Sequence, residues 1–186
     1  PTLRAKVLKG RRQRMADDDR DWRDQIFTAL KDADISLVGY VPDAGHAKLI
    51  EASIADNDID DVALTTEEEG VALATGAWLG GKKSVLLMQS SGVGNCINML
   101  SLRETARIPM VIIVTMRGEY AEFNPWQIPM GSKTQAAFEL CGFKVERVDR
   151  AEDAGPTVAA ALSFAYHSDT GVAVLLSQKL IGAKTW

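Results

Sequence analysis

The chain has 186 residues, of which 46% are hydrophobic and 25% charged, and its formal net charge is −4. These values are ordinary for a soluble globular domain, and the negative charge argues against a general nucleic-acid or anionic-membrane binder. No apolar run approaches the roughly 18 residues of a membrane span. The two cysteines, Cys96 and Cys141, offer neither a metal-ligand spacing nor a disulfide framework, which favours a reducing compartment such as the cytoplasm.

The first 14 residues differ in charge from the rest of the chain, because they hold six Lys or Arg and no acidic residue. We interpret residues 1–20, basic and then acidic, as an N-terminal arm that packs on the domain's own acidic surface or on a partner. A transit peptide and a nucleic-acid-binding tail are the alternatives. Residues 21–186 are then the folded domain.

The pattern of apolar and polar residues in this domain predicts a regular alternation of helices and strands. Strands are predicted at 36–41, 61–65, 84–89, 110–116, 144–148 and 172–177, with helices at 21–33, 46–55, 67–79, 95–107, 131–141 and 151–167. The strands are short continuous apolar runs, as strands buried on both faces require. We therefore predict a three-layer α/β fold, in which a six-stranded, mostly parallel sheet carries helices on both faces.

Ligands of such folds bind at the carboxyl ends of the strands, which points to the loops at 42–46, 65–67, 89–95 and 117–130. The turn Gly92-Val93-Gly94 resembles half of a dinucleotide fingerprint, but Ile97 stands where the third glycine belongs. A nicotinamide site is therefore disfavoured. The turn either brings backbone N–H groups to a ligand or is a simple strand-to-helix turn.

Three further features fall in these loops. Glu67-Glu68-Glu69 opens a helix, where the helix dipole favours acids, and small residues follow through Ala77. His46 has either a site role or a structural one. Trp126 and Gln127 lie in the long loop, as lid residues or as interface anchors.

Residues 66–79, TEEEGVALATGAWL, resemble the pyrimidine-binding domain of thiamine diphosphate enzymes, in which a glutamate stands nine residues before a glycine. Here that pair is Glu67 and Gly76. Other segments narrow the resemblance to the α subunits of sulfopyruvate decarboxylase and the related phosphonopyruvate decarboxylases. These segments are Tyr40-Val41-Pro42-Asp43, residues 87–95 (LMQSSGVGN), Ile108-Pro109-Met110 and Arg117-Gly118-Glu119.

The resemblance implies site roles. Glu67 would share a proton with N1′ of the aminopyrimidine and so promote loss of the thiazolium C2 proton; His46 is the second catalytic candidate. The implied cofactor-binding residues are Glu67, Gln89, Ser91, Gly92 and Asn95. The implied substrate-binding residues are Asp43, His46, Arg117 and Gln127, with Lys133 as another candidate cation. No residue of this chain is expected to hold a metal.

Two positions depart from the family, which often has Asn at Ser90 and His at Gln127, and this leaves a different substrate open. The chain also has no Gly-Asp-Gly segment, so the resemblance implies that a separate β chain binds the diphosphate and Mg²⁺ in an α/β hetero-oligomer. The implied activity is decarboxylation of a 2-oxoacid, most like 3-sulfopyruvate. The alternatives are phosphonopyruvate decarboxylation, carboligation and a non-catalytic regulatory subunit.

Overall fold

A single sheet of parallel strands organises the part of the chain that the structure, a computed structural model, describes, residues 21–182. The predicted arm at 1–20 lies outside these residues. The strands are β1 Ile35–Tyr40, β2 Asp60–Ala63, β3 Lys83–Gln89, β4 Met110–Thr115, β5 Phe143–Val148 and β6 Gly171–Leu176. Their order is β2-β1-β3-β4-β6-β5, and every neighbouring pair is parallel.

Helices cover both faces of the sheet, which confirms the predicted three-layer α/β fold. They are α1 Trp22–Asp32, α2 Ala47–Ala55, α3 Glu67–Leu79, α4 Val93–Ala106, α5 Ile128–Gly131, α6 Thr134–Leu140, α7 Ala151–Ser168 and α8 Gln178–Ile181. One core cluster joins the sheet to α1, α2 and α7, and the other joins it to α3, α4 and α6.

Strand β4 shows why the strands are continuous apolar runs. Its side chains alternate between the two clusters, with Val111 and Ile113 in one and Ile112 and Val114 in the other. All six of its residues are buried. Because successive side chains of a strand point to opposite faces, a strand covered on both sides has no position left for a solvated residue.

Two predicted elements differ in detail. Residues 92–94 form no open glycine turn, because a short 3₁₀ helix, Ser90–Gly92, leads directly into α4. The predicted helix at 131–141 begins only at Thr134, after the short helix α5. Within residues 21–182, no helix combines the length and the apolar character that a membrane crossing needs.

Candidate active site

Glu67 is the first residue of α3, at the carboxyl edge of the sheet. Its side chain lies against Gly92, at the start of α4, and the residue is only 9% exposed. Oε2 accepts a hydrogen bond from Nδ2 of Asn95 on α4, at 3.0 Å. Within residues 21–182, Oε1 takes part in no hydrogen bond, so one oxygen is oriented by the protein and the other can receive an external donor.

Gly92 provides the space in which the Glu67 carboxyl lies. A Cβ built on Gly92 would overlap the Cδ and Oε1 atoms of Glu67. The backbone of Gly92 has φ −77°, a conformation open to any L-residue. The glycine is therefore needed here for the close approach of a side chain, and not for an unusual backbone angle.

Asp43, in the loop after β1, joins three carboxyl-end segments. Its Oδ1 accepts from Nε2 of Gln89 at 2.8 Å, and its Oδ2 accepts from Oγ1 of Thr115 at 2.7 Å and from the backbone N of Gly45 at 3.0 Å. Ser91 Oγ in turn donates to Oε1 of Gln89 at 2.9 Å. These donors suit an ionised carboxylate, and they fix the ends of β1, β3 and β4 relative to one another.

His46 lies beneath this loop and is 1% exposed. Its Nε2 is 3.3 Å from the carbonyl oxygen of Met88 and 3.1 Å from that of Ile113. Carbonyl oxygens only accept, so Nε2 carries the proton and donates. Burial lowers the pKa of His46, and the charge of Asp43 opposes this only in part. The ring thus fastens the loop to β3 and β4 as a neutral group, a geometry that suits positioning.

Arg117, which follows β4, is engaged by a partner in its own loop. Its Nε and Nη2 donate to the two carboxylate oxygens of Glu122, at 2.6 and 2.5 Å, and both side chains are buried. The Arg117 guanidinium holds the pKa of Glu122 far below its ordinary range, with help from the backbone N–H groups of Asn124 and Gly118. The charge of Arg117 is therefore compensated inside the loop.

The remaining candidates have different surroundings. Oε1 of Gln127 is buried, and within residues 21–182 it has no hydrogen-bond partner. Trp126 is 82% exposed, and the exposed Lys133 donates from Nζ to the carbonyl of Pro129 at 3.1 Å. Ser90 is fully buried, and its Oγ accepts from the backbone N of Arg117 at 3.0 Å. Ser90 therefore supports the loop from within.

The structure thus brings the predicted residues into two adjoining clusters, one of Glu67, Gly92 and Asn95 and one of Asp43, Gln89 and Ser91. Three residues that hold these segments together were not predicted: Thr115, Glu122 and Gln178, whose Nε2 donates to Oε2 of Glu122 at 2.9 Å. Thr115 had a signal, as a polar residue that ends a wholly apolar strand. Glu122 and Gln178 had none, because their roles depend on how the loop after β4 folds back.

The first cluster suits an aminopyrimidine. A carboxyl oxygen that faces a protonated ring nitrogen needs a second polar group to orient it, and Asn95 supplies one. The space left by Gly92 lets that carboxyl lie against the start of α4. In the described part of the chain, no group of three His, Cys, Asp or Glu side chains could hold a metal ion.

Comparison with known proteins gives an independent result. A family model described as "Thiamine pyrophosphate enzyme, N-terminal TPP binding domain" matches residues 20–136. Sulfopyruvate decarboxylase subunit alpha from Methanocaldococcus jannaschii is 36% identical over 151 residues, which are 81% of this chain and 89% of that protein. Phosphonopyruvate decarboxylase from Streptomyces viridochromogenes is 32% identical over 84% of this chain and 40% of its own length.

Among solved structures, the 2-oxoglutarate:ferredoxin oxidoreductase from Magnetococcus marinus superimposes with a TM-score of 0.68 at 16% identity. It covers 87% of this chain, whereas this chain spans only 29% of that one. At this identity the likeness concerns the fold. The resemblance carried by the Glu67 helix is confirmed by the family match and by the relatives, and the chain belongs to the thiamine pyrophosphate enzymes, as a relative of the sulfopyruvate decarboxylase α subunits.

Proposed function

We propose that this chain is the α subunit of a thiamine-diphosphate-dependent decarboxylase that converts 3-sulfopyruvate into sulfoacetaldehyde and CO₂. The decarboxylase class is supported by the relatives, which carry that name and match over most of this chain. The observation that carries the proposal is the Glu67 carboxyl, which is oriented by Asn95 in the space left by Gly92 at the carboxyl edge of the sheet.

Bound thiamine diphosphate supplies the nucleophilic carbon and the electron sink that decarboxylation of a 2-oxoacid requires. Glu67 would share a proton with pyrimidine N1′ of the bound cofactor, and Asn95, which donates to Oε2 of Glu67, would orient that carboxyl. The oriented carboxyl lies away from bulk water, so it needs little reorganisation during the reaction. Gln89 and Ser91 would line the cofactor, and Asp43, to which Gln89 donates, would face the substrate.

The sulfonate of the substrate needs a cationic contact, and the geometry disfavours two of the candidate cations. The guanidinium of Arg117 is compensated by Glu122, and His46 is buried as a neutral ring. Both are therefore poor anion sites in this state, although Arg117 and His46 were expected to bind substrate. We assign the contact to Lys133 or to the partner chain. We assign a second contact to the amide N–H groups of Gln127, because ionised 3-sulfopyruvate carries only acceptors and an amide nitrogen donates.

The partner is a β chain that binds the diphosphate and Mg²⁺. The relatives that this chain matches over most of their length are named subunit alpha. The phosphonopyruvate decarboxylase relative is more than twice as long as the part that matches. The longer relative thus has room for a second domain on the same chain.

The test begins with capture of the partner by the tagged full-length chain from its native source. The complex is then assayed for CO₂ release with thiamine diphosphate and Mg²⁺ on 3-sulfopyruvate, phosphonopyruvate and pyruvate, with and without an aldehyde acceptor. We expect 3-sulfopyruvate to be preferred. A phosphonopyruvate preference, or a ligated product, would replace this substrate or reaction, and a complex that binds no thiamine diphosphate would favour a regulatory subunit.

Glu67→Gln tests the proposed catalytic role in the same assay. We expect it to keep the fold and the partner but to lower turnover by about 10²–10⁴, the usual effect of removing a positioned acid–base group. Glu68→Gln is the matched control, because Glu68 lies in the same helical turn but is exposed. Near wild-type CO₂ release by Glu67→Gln would defeat the mechanism.

A further inference from the structure

Gln178, the first residue of α8, is a polar side chain that the proposed chemistry does not use. It follows the carboxyl end of β6 and is 1% exposed. Its Oε1 accepts hydrogen bonds from the backbone N–H groups of Glu119 and Tyr120, each at 3.0 Å. Its Nε2 donates to Oε2 of Glu122 at 2.9 Å. A single amide thus ties three residues of the loop after β4 to the end of another strand.

The backbone of Gln178 takes part as well. Its N–H donates to Oε1 of Glu119 at 2.9 Å, and the same oxygen accepts from Nη2 of Arg147, near the end of β5, at 2.6 Å. The loop is therefore bonded to the ends of β5 and β6 as well as to its own strand. Removal of the Gln178 amide would leave two backbone donors and the Glu122 carboxylate short of partners, in a network that is partly buried.

The two ends of the segment 117–131 are in close backbone contact. A Cβ on Gly118 would overlap the carbonyl of Gln127, and a Cβ on Gly131 would overlap the carbonyl of Arg117. Gly118 also has φ +78°, which L-residues rarely adopt. Because the two ends touch through backbone atoms, a displacement of residues 117–122 moves Gln127 with it.

We propose that Gln178 is a positioning residue, which holds the loop 117–131 closed at the carboxyl edge of the sheet and thereby sets Gln127 for the substrate. The effect on the loop is a property of this chain alone. The effect on the substrate rests on the function proposed above.

Two substitutions separate the contributions of the amide. Gln178→Ala removes all its hydrogen bonds. Gln178→Glu keeps an oxygen for the two backbone donors, but sets a second oxygen against the carboxylate of Glu122. Protonation of the introduced carboxyl restores the donor, so the defect of Gln178→Glu is expected to be larger at pH 8 than at pH 5.5.

Several charged groups surround position 178 and can also affect the pH dependence of Gln178→Glu. Glu119 and Glu122 face it from the loop, together with Arg117, which is paired with Glu122. Arg147 faces it from β5 and is paired with Glu119 and Asp149, and Lys179 follows it on α8. Each exchange rate or kinetic constant of the variant is therefore divided by that of the wild type at the same pH. Titrations that the two proteins share then cancel.

Hydrogen exchange of the full-length chain measures the loop directly. We expect the amides of Glu119 and Tyr120 to exchange at least about tenfold faster in Gln178→Ala, the factor that corresponds to about 1.4 kcal/mol. In Gln178→Glu, peptides from 117–131 should exchange faster than in the wild type at pH 8, with a smaller ratio at pH 5.5. Gln135→Ala is the matched control, since Gln135 also donates to a glutamate, Glu139, but on the exposed surface of α6.

Steady-state kinetics of the complex measures the effect on the substrate. We expect Gln178→Ala to raise the KM for the oxoacid about tenfold and to leave kcat within about threefold, because ground-state placement is lost rather than the proton shared by Glu67. Gln178→Glu should recover towards the wild type as the pH falls. A merely destabilised fold would lower the active fraction, and so kcat, without this split.

The outcomes separate this inference from the proposed function. Unchanged exchange of 117–131 in both variants would overturn the holding role, whatever the reaction. Faster exchange with an unchanged KM would overturn the link to the substrate. If the wild-type complex releases no CO₂ from any oxoacid, the proposed function fails, and hydrogen exchange alone decides the role of Gln178.

Discussion

Replacement of Gly92 by alanine tests whether the Glu67 carboxyl needs the space that the missing side chain of Gly92 leaves. The new methyl group would overlap that carboxyl, so the side chain either moves away or stays under strain. Moving away gives up the hydrogen bond from Asn95, worth about 1.5–3 kcal/mol when one partner is charged, and overpacking costs about 1–3 kcal/mol. Alanine recovers about 0.4–1 kcal/mol by restricting the unfolded chain, because φ at this position is −77°. The net loss of stability is about 0–2.6 kcal/mol.

The decisive assay is a double-mutant cycle by urea denaturation of the full-length chain, with Gly92→Ala, Glu67→Ala and the double variant. In the Glu67→Ala background the overlap is gone, so Gly92→Ala should be neutral or stabilising by up to about 1 kcal/mol. The coupling energy is then about 1–3 kcal/mol. A coupling within about 0.5 kcal/mol of zero would refute the argument, since the two substitutions would then act independently. In the complex, Gly92→Ala should also weaken thiamine diphosphate binding.

Gly76→Ala should raise the free energy of unfolding by about 0.5–1 kcal/mol, because a Cβ at this helical position meets nothing within 4 Å; a urea midpoint at or below that of the wild type would contradict this. The lowered pKa of His46 makes the unfolded state bind the extra proton first, so wild-type stability should fall as the pH drops below about 6.5. His46→Gln should be less stable at pH 7.5 by about 1–3 kcal/mol and should lose less on acidification to pH 5.5; equal losses in the two proteins would show that His46 is not the responsible group.

The helices and strands could be predicted because their signals are local. The six apolar runs mark buried strands whatever their neighbours are, and the predicted bounds of α3, Glu67–Leu79, coincide with the observed ones. The order of the strands in the sheet was not predicted, since it depends on contacts between distant segments. The family resemblance supplied the candidate site residues, and the structure brings most of them to one edge of the sheet.

Side-chain partners could not be predicted in the same way. Arg117 and Glu122 are five residues apart, but their pairing depends on the turn at Gly118, where the loop folds back. His46 follows a turn in a ligand-facing loop, yet its ring points into the sheet, where the carbonyls of Met88 and Ile113 accept its proton. Such choices depend on packing in three dimensions, which a pattern along one chain does not contain.

The network around Asp43 has a consequence for assembly. Gln89, Thr115 and the ring of His46 fix the loop after β1 through bonds made entirely within this chain. The conformational entropy of these segments is lost during folding, so little of it remains to be lost when a partner docks. Association at this edge should therefore resemble the meeting of two nearly rigid bodies.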